Sequence, residues 1–186
     1  MDIIIRDARP AELDEAGELT ASVYLGDGLL DFGEDDPYLE HLRDARRRAE
    51  HAEVLVAVDP PPDSVWEVPP SANEVLGCVT FVGAGGEFAD IAADDEAEFR
   101  MLAVRPSARG RGAGEALVLE CLRRARRLGK RRVVLSSQSQ MHTAHRLYER
   151  LGFVRAPERD WEPIPGMALH VFALDLSLNG EQEHNI

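Results

Sequence analysis

The chain has 186 residues, with 34 acidic side chains against 21 Lys and Arg and a formal net charge of −13 at pH 7. That length supports one ordinary hydrophobic core without metal or disulfide staples, and the charge argues against a general nucleic-acid binder, which gains affinity by neutralising phosphates with Lys and Arg. No apolar run approaches the ~20 residues of a membrane span, and Asp2 and Asp7 around Ile3, Ile4 and Ile5 do not make a signal peptide, so a cytoplasmic protein with no membrane partner is expected.

Ile3 to Arg6 reads as a first strand. A helix follows from about Pro10, a residue suited to a first helical turn, and Gly26 and Gly28 end it. The acidic stretch DFGEDDP is a loop, and Tyr38 to about Ala52 is expected as one further helix whose apolar stripe opens with Leu39 and Leu42. Val54 to Val58 and Val75 to Val82 are strands; their connection, DPPPDSVWEVPPSAN, is too proline-rich to continue a sheet ladder, and its Trp66 is expected to cover the edge of the core. Gly83 to Asp95 is a loop, Glu98 to Val104 a central strand, Ala113 to Leu128 a helix and Arg132 to Ser136 a strand, an order that implies a parallel crossover. Ala144, Leu147, Tyr148 and Leu151 then fall at helical spacing on one inward face. Phe153, Val154 and the run Ala168 to Leu176 supply the last strands. The expected architecture is a single α/β domain over residues 1–178, with a central mixed sheet flanked by helices and a frayed polar tail at 179–186.

Cys78 lies in an apolar run and Cys121 on an apolar helix face, so both read as small buried hydrophobes. The basic cluster RRARRLGKRR lies opposite Leu117, Cys121, Ala125 and Leu128, which makes it a solvated helix face closed by Gly129. His142 and His145 have no third ligand at a telling spacing, so they read as surface or capping residues and no metal is expected. Ser136, Ser137 and Ser139 lack a local base partner or a nucleophile elbow, which disfavours a serine hydrolase.

The run VRPSARGRGAGEAL, Val104 to Leu117, carries the most chemistry. It joins a strand to a helix through a turn rich in Arg and Gly, and the first N–H groups of such a helix, with the positive end of its dipole, favour an anion. Gly110, Gly112 and Gly114 let the main chain bend and approach closely, while Arg109 and Arg111 add full charge. The glycines alternate and Glu115 stands where a dinucleotide fingerprint needs its third, and no Lys with Ser or Thr follows as a P-loop requires.

Together with EFRMLAV before it and HTAHRLYERLGFVR after it, this turn resembles the GCN5-related N-acetyltransferase superfamily. Arg109, Gly112 and Gly114 match the family's pyrophosphate motif, and Ala144, Leu147, Tyr148, Leu151, Gly152 and Phe153 match its later helix. The resemblance implies transfer of an acetyl group from acetyl coenzyme A to a primary amine of a small molecule, peptide or protein, by direct attack in a ternary complex. It further implies that Leu102, Ala103, Val104, Arg109, Gly110, Arg111, Gly112, Ala113, Gly114, Met141 and Ala144 border the cofactor, that Tyr148 serves the leaving thiolate, and that Glu98 is the base or else one more solvated carboxylate. Met141 stands where many members carry an Asn that holds the pantetheine arm, which motivates the alternative of a catalytically weak acyl-CoA sensor or scaffold. In this family the loop between the first two helices commonly borders the acceptor side. Here it carries Asp31, Glu34, Asp35 and Asp36, an expectation of a cationic acceptor. A homodimer is left open.

Overall fold

Short β-branched runs build a seven-stranded mixed sheet in the computed structural model, which describes residues 3–61 and 74–177. The order across the sheet is β1 (Ile4–Asp7), β2 (Glu53–Val58), β3 (Val75–Val82), β4 (Glu96–Val104), β5 (Arg132–Gln138), β7 (Leu169–Asp175) and β6 (Val154–Arg155). The β1–β2, β2–β3, β5–β7 and β6–β7 ladders are antiparallel, whereas β4 and β5 run parallel across the helical crossover the sequence implies. The chain forms two compact units, Met1–Phe81 with Met101–Glu120 and Val82–Arg100 with Cys121–Ile186. Trp66 and the tail 179–186 lie outside the described residues. Among the described residues no helix is long and apolar enough to cross a membrane.

In the first unit, α1 (Leu13–Gly26) lays Ala16, Leu19 and Val23 on Val54, Val56 and Val58 of β2 and Val75 and Cys78 of β3. Away from the sheet, Gly17 of α1 admits the Arg43 carbonyl oxygen, which would lie within 1.9 Å of a Cβ there. The helix expected from Tyr38 to about Ala52 is in fact two, α2 (Tyr38–Arg43) and α3 (Ala45–His51). Asp44 divides them: its carboxylate caps α3 by accepting the Arg47 N–H at 3.0 Å. The carbonyls left at the end of α2 are met by Arg48, which is 1% exposed and whose Nη1 donates to His41 and Leu42 at 3.2 and 2.7 Å. Desolvation lowers the affinity of that guanidinium for its proton.

In the second unit, Val134, Val171, Ala173 and Ala156 form one cluster, with Ile91, Ala92 and Trp161 packed on it. Phe99, Tyr148, Phe153 and Phe172 form another, with ring centroids 5.7 to 6.0 Å apart. The crossover helix α4 (Ala113–Arg127) closes as its sequence requires, with Gly129 at φ 68° and the Lys130 N–H reaching back to the Ala125 carbonyl at 3.0 Å. Leu117, Cys121 and Ala125 are buried as expected, whereas Leu128, just beyond the helix end, is exposed.

Candidate active site

In the first unit the strand-to-helix turn is held from below. Gly77 of β3 brings the Ala103 carbonyl oxygen to within 2.9 Å of where a Cβ would stand, so β4 lies close against β3 there. Arg105, just past β4, donates its N–H to the Leu76 carbonyl at 2.8 Å and its side chain to the Val75 carbonyl and to Glu15 at 3.0 and 3.1 Å. A 3₁₀ turn, Pro106–Ala108, follows. Gly110 and Gly112 then take φ values of 79° and 87°, a left-handed backbone that L side chains adopt at a cost, and α4 begins at Ala113. No heavy atom lies within 4 Å of a Cβ built on either, so their requirement is conformational and not steric. Both arginines of the turn are ion-paired within this unit. Arg109 Nη2 grips the two oxygens of Asp27, just past the end of α1, at 3.0 and 2.8 Å, and Arg111 pairs with Asp59. Upstream, Met101 holds φ 55°, a strained value for a non-glycine residue inside a strand. Leu102, Ala103 and Val104 follow it, with Ala103 buried.

In the second unit, Tyr148 of α5 (His142–Arg150) is 3% exposed and walled by Phe99, Phe153 and Phe172. Burial pushes its phenol above the ordinary value, so it stays protonated at neutral pH. Among the described residues none hydrogen-bonds its hydroxyl. Glu98 is no solvated carboxylate: it is 1% exposed, and its Oε2 accepts the N–H groups of Asp90, Ile91 and Ala92 at 3.0, 3.1 and 3.2 Å. Desolvation raises its proton affinity against the opposing pull of those N–H groups and of Arg100. The neighbouring Glu96, also buried, pairs with Arg159 at 2.8 Å. Both acids therefore fasten the loop between β3 and β4.

A parallel β4–β5 pair, a Gly-rich turn opening α4 and a later helix carrying Tyr148 follow the chain order of the motifs, and the sequence comparison decides the family. The model described as acetyltransferase (GNAT) family matches residues 29–153, well over half of the chain. The chain belongs to the GNAT acetyltransferase family. As a GNAT protein it is an enzyme, an acetyl-CoA-dependent N-acetyltransferase. No curated protein is significantly similar to it in sequence. Solved structures share its fold. A GNAT-family acetyltransferase from Staphylococcus aureus MU50 superposes with a TM-score of 0.68 at 13% identity, covering 94% of this chain and 99% of that one. YncA from Salmonella typhimurium, solved with its cofactor acetyl-CoA, gives 0.62 at 21% identity, covering 95% of each chain. A GCN5-related N-acetyltransferase from Kribbella flavida gives 0.63 at 22%, covering 93% of this chain and 97% of that one.

Within this GNAT chain the structure corrects three readings of single residues. His145 is not a surface or capping residue: it is half-buried, tilted against Phe172 at 4.9 Å and stacked beside His170 at 6.2 Å. Ser137 does have a base partner, His145 Nε2 at 3.0 Å, which local sequence conceals because strand β5 and helix α5 supply one residue each. Asp36 does not belong with its acidic neighbours, since it is buried and accepts the N–H groups of Phe32 and Tyr38 at 3.3 and 2.9 Å. Asp31, Glu34 and Asp35 are exposed. Met141 stands at the N-cap of α5 without a side-chain cap, and Ala144 is half-buried.

Proposed function

We propose that this enzyme transfers acetyl from acetyl-CoA to a primary amine by direct attack, with residues 1–178 acting as one GNAT domain. The reading rests most on Tyr148, a buried phenol that keeps its proton and whose hydroxyl no described residue engages. An ammonium of ordinary pKa near ~10.4 must shed a proton before its nitrogen can attack the thioester carbon. Glu98 takes up that proton, directly or through water; burial raises its proton affinity and so favours uptake. As the carbon–sulfur bond breaks, the nitrogen gives up its second proton to water and the departing sulfur takes one up from water, while the Tyr148 O–H donates a hydrogen bond to that sulfur. The products are the amide, the free thiol and one proton. A phenol of raised pKa is a weaker acid than a thiol, so Tyr148 acts first as a hydrogen-bond donor to the thiolate. The turn Arg109–Gly114 cradles the pyrophosphate with its backbone N–H groups, beside the ion-paired guanidiniums of Arg109 and Arg111, and Leu102 to Val104 offer main-chain groups to the pantetheine arm.

Tyr148→Phe keeps the ring packing and removes the donor. Thiol release from acetyl-CoA, measured across a panel of amines, should then show kcat reduced by about 10²- to 10⁴-fold with the KM for acetyl-CoA little changed. Unchanged turnover would return Tyr148 to the core and remove the mechanism.

A further inference from the structure

Helix α5 begins without the side-chain cap that usually satisfies a first turn. Its docking is done from inside the turn by His145. Ser137 of β5 bonds this turn twice, lying 3.0 Å from His145 Nε2 and 3.5 Å from the sulfur of Met141. Ser137 also faces His170 across the β5–β7 ladder, and the two imidazoles stack at 6.2 Å. His145 and Tyr148, one turn apart on α5, then rest on the same ring, Phe172, at 4.9 and 5.7 Å. A change in how His145 seats is therefore passed to Tyr148 through a shared neighbour and a rigid helical turn.

We propose that His145, held by Ser137, is a positioning residue that seats Tyr148 in its neutral form and unseats it when protonated. The inference rests on the role assigned to Tyr148 above. The groups facing the imidazole are His170 from β7, His142 and Glu149 from its own helix, and the Gln138 backbone. Desolvation is the largest influence and it favours the neutral ring; His170 and His142 act the same way, against Gln138 and Glu149. A second proton on the imidazole makes both ring nitrogens donors and sets a charge beside His170 in a place where burial disfavours it. The charged ring is driven toward solvent, away from His170 and from the bond that joins the first turn of α5 to the sheet.

Tyrosine ring ¹³C NMR reads this without turnover, because the chain has 3 tyrosines, which single Tyr→Phe variants assign. Between about pH 5 and 8 the Tyr148 signal should move with the His145 titration, at a midpoint below 6.5, and His145→Gln should abolish that movement. A Tyr148 signal flat through the His145 titration, or one moving identically in His145→Gln, would overturn the proposal. In the thiol-release assay with spermidine as acceptor, kcat should lose its acid limb in His145→Gln, whereas His145→Ala should lower kcat several-fold at every pH with KM unchanged. In a Tyr148→Phe background His145→Ala should have no further effect. A silent Tyr148→Phe would remove both the mechanism and this inference, while an impaired Tyr148→Phe with a His145→Gln profile parallel to wild type would remove this inference alone.

Discussion

Glu98 couples burial, geometry and proton affinity in one side chain. Its folded-state pKa is raised mainly by desolvation, so the fold prefers the protonated acid. Stability from this group is complete below the unfolded value of 4.5 and is lost as pH rises through the folded value. Glu98→Gln, which retains an acceptor oxygen and carries no charge, should gain in Tm relative to wild type as pH rises from about 4 to about 7. A Tm difference that is flat over that span would contradict the sign. Glu98→Ala leaves the N–H groups of Asp90, Ile91 and Ala92 without their acceptor, and denaturant unfolding at neutral pH should show a loss of about 1–3 kcal/mol. The pairing of Glu98 was not legible in the sequence. Asp94, Asp95 and Glu96 before it look like a solvated run, and the strand's alternation, which turns Glu96 and Glu98 into the protein, is masked by those charges. Tyr148 was legible because helical spacing placed it on an apolar stripe. The stripe proved shallower than expected, with Ala144, Leu147 and Leu151 only half-buried.

At the scale of elements, sequence patterns worked where local chemistry decides and failed where distant chain intrudes. The start and stop of α4 follow from Gly112 and Gly129, whose positive φ values fit the turns they make. The break between α2 and α3 does not, because it depends on Gly17 admitting the Arg43 carbonyl and on a buried Arg48 gathering the carbonyls of α2. The turn before α4 was read from its glycines, but the carboxylates of Asp27 and Asp59 that hold its arginines come from elsewhere in the chain. These pairs keep the guanidiniums from collapsing elsewhere and leave the backbone as the distinctive anion binder. Gly112→Asp adds a strained φ of 87° and a negative charge where phosphate oxygens are proposed to lie. No heavy atom lies within 4 Å of a Cβ at Gly112, so the substitution meets no steric clash and its cost to the fold is the φ alone. Calorimetry should show coenzyme A affinity reduced by at least about tenfold in a protein of native circular dichroism, since 1.4 kcal/mol suffices for that factor. An unchanged Kd would move the pyrophosphate away from this turn.

For the molecule as a whole, the net charge of −13 sets opposite problems for the two substrates. Coenzyme A is an anion and must be held by local donors against the general field. A cationic amine is favoured by that field, though screening confines the effect to charges within about 8 Å at physiological salt. The acids that act on an acceptor must therefore stand at the site itself, and the loop between α1 and α2 supplies Asp31, Glu34 and Asp35 to solvent. Asp36 is excluded because its carboxylate holds two backbone N–H groups, so its removal tests the loop and not the field. The same acids favour the protonated amine, which cannot attack, so steering gains rate only if a base removes the proton at the point of reaction. We propose a basic acceptor, a polyamine or an amine in a basic context. For spermidine, kcat/KM should fall steeply as ionic strength rises, and Glu34→Gln with Asp35→Asn should flatten that fall while leaving coenzyme A affinity unchanged. Ethanolamine, with no second charge, should be the poorer acceptor and should respond weakly to salt. Equal kcat/KM for the two amines, or a salt dependence untouched by the two substitutions, would show that these carboxylates only solvate the loop.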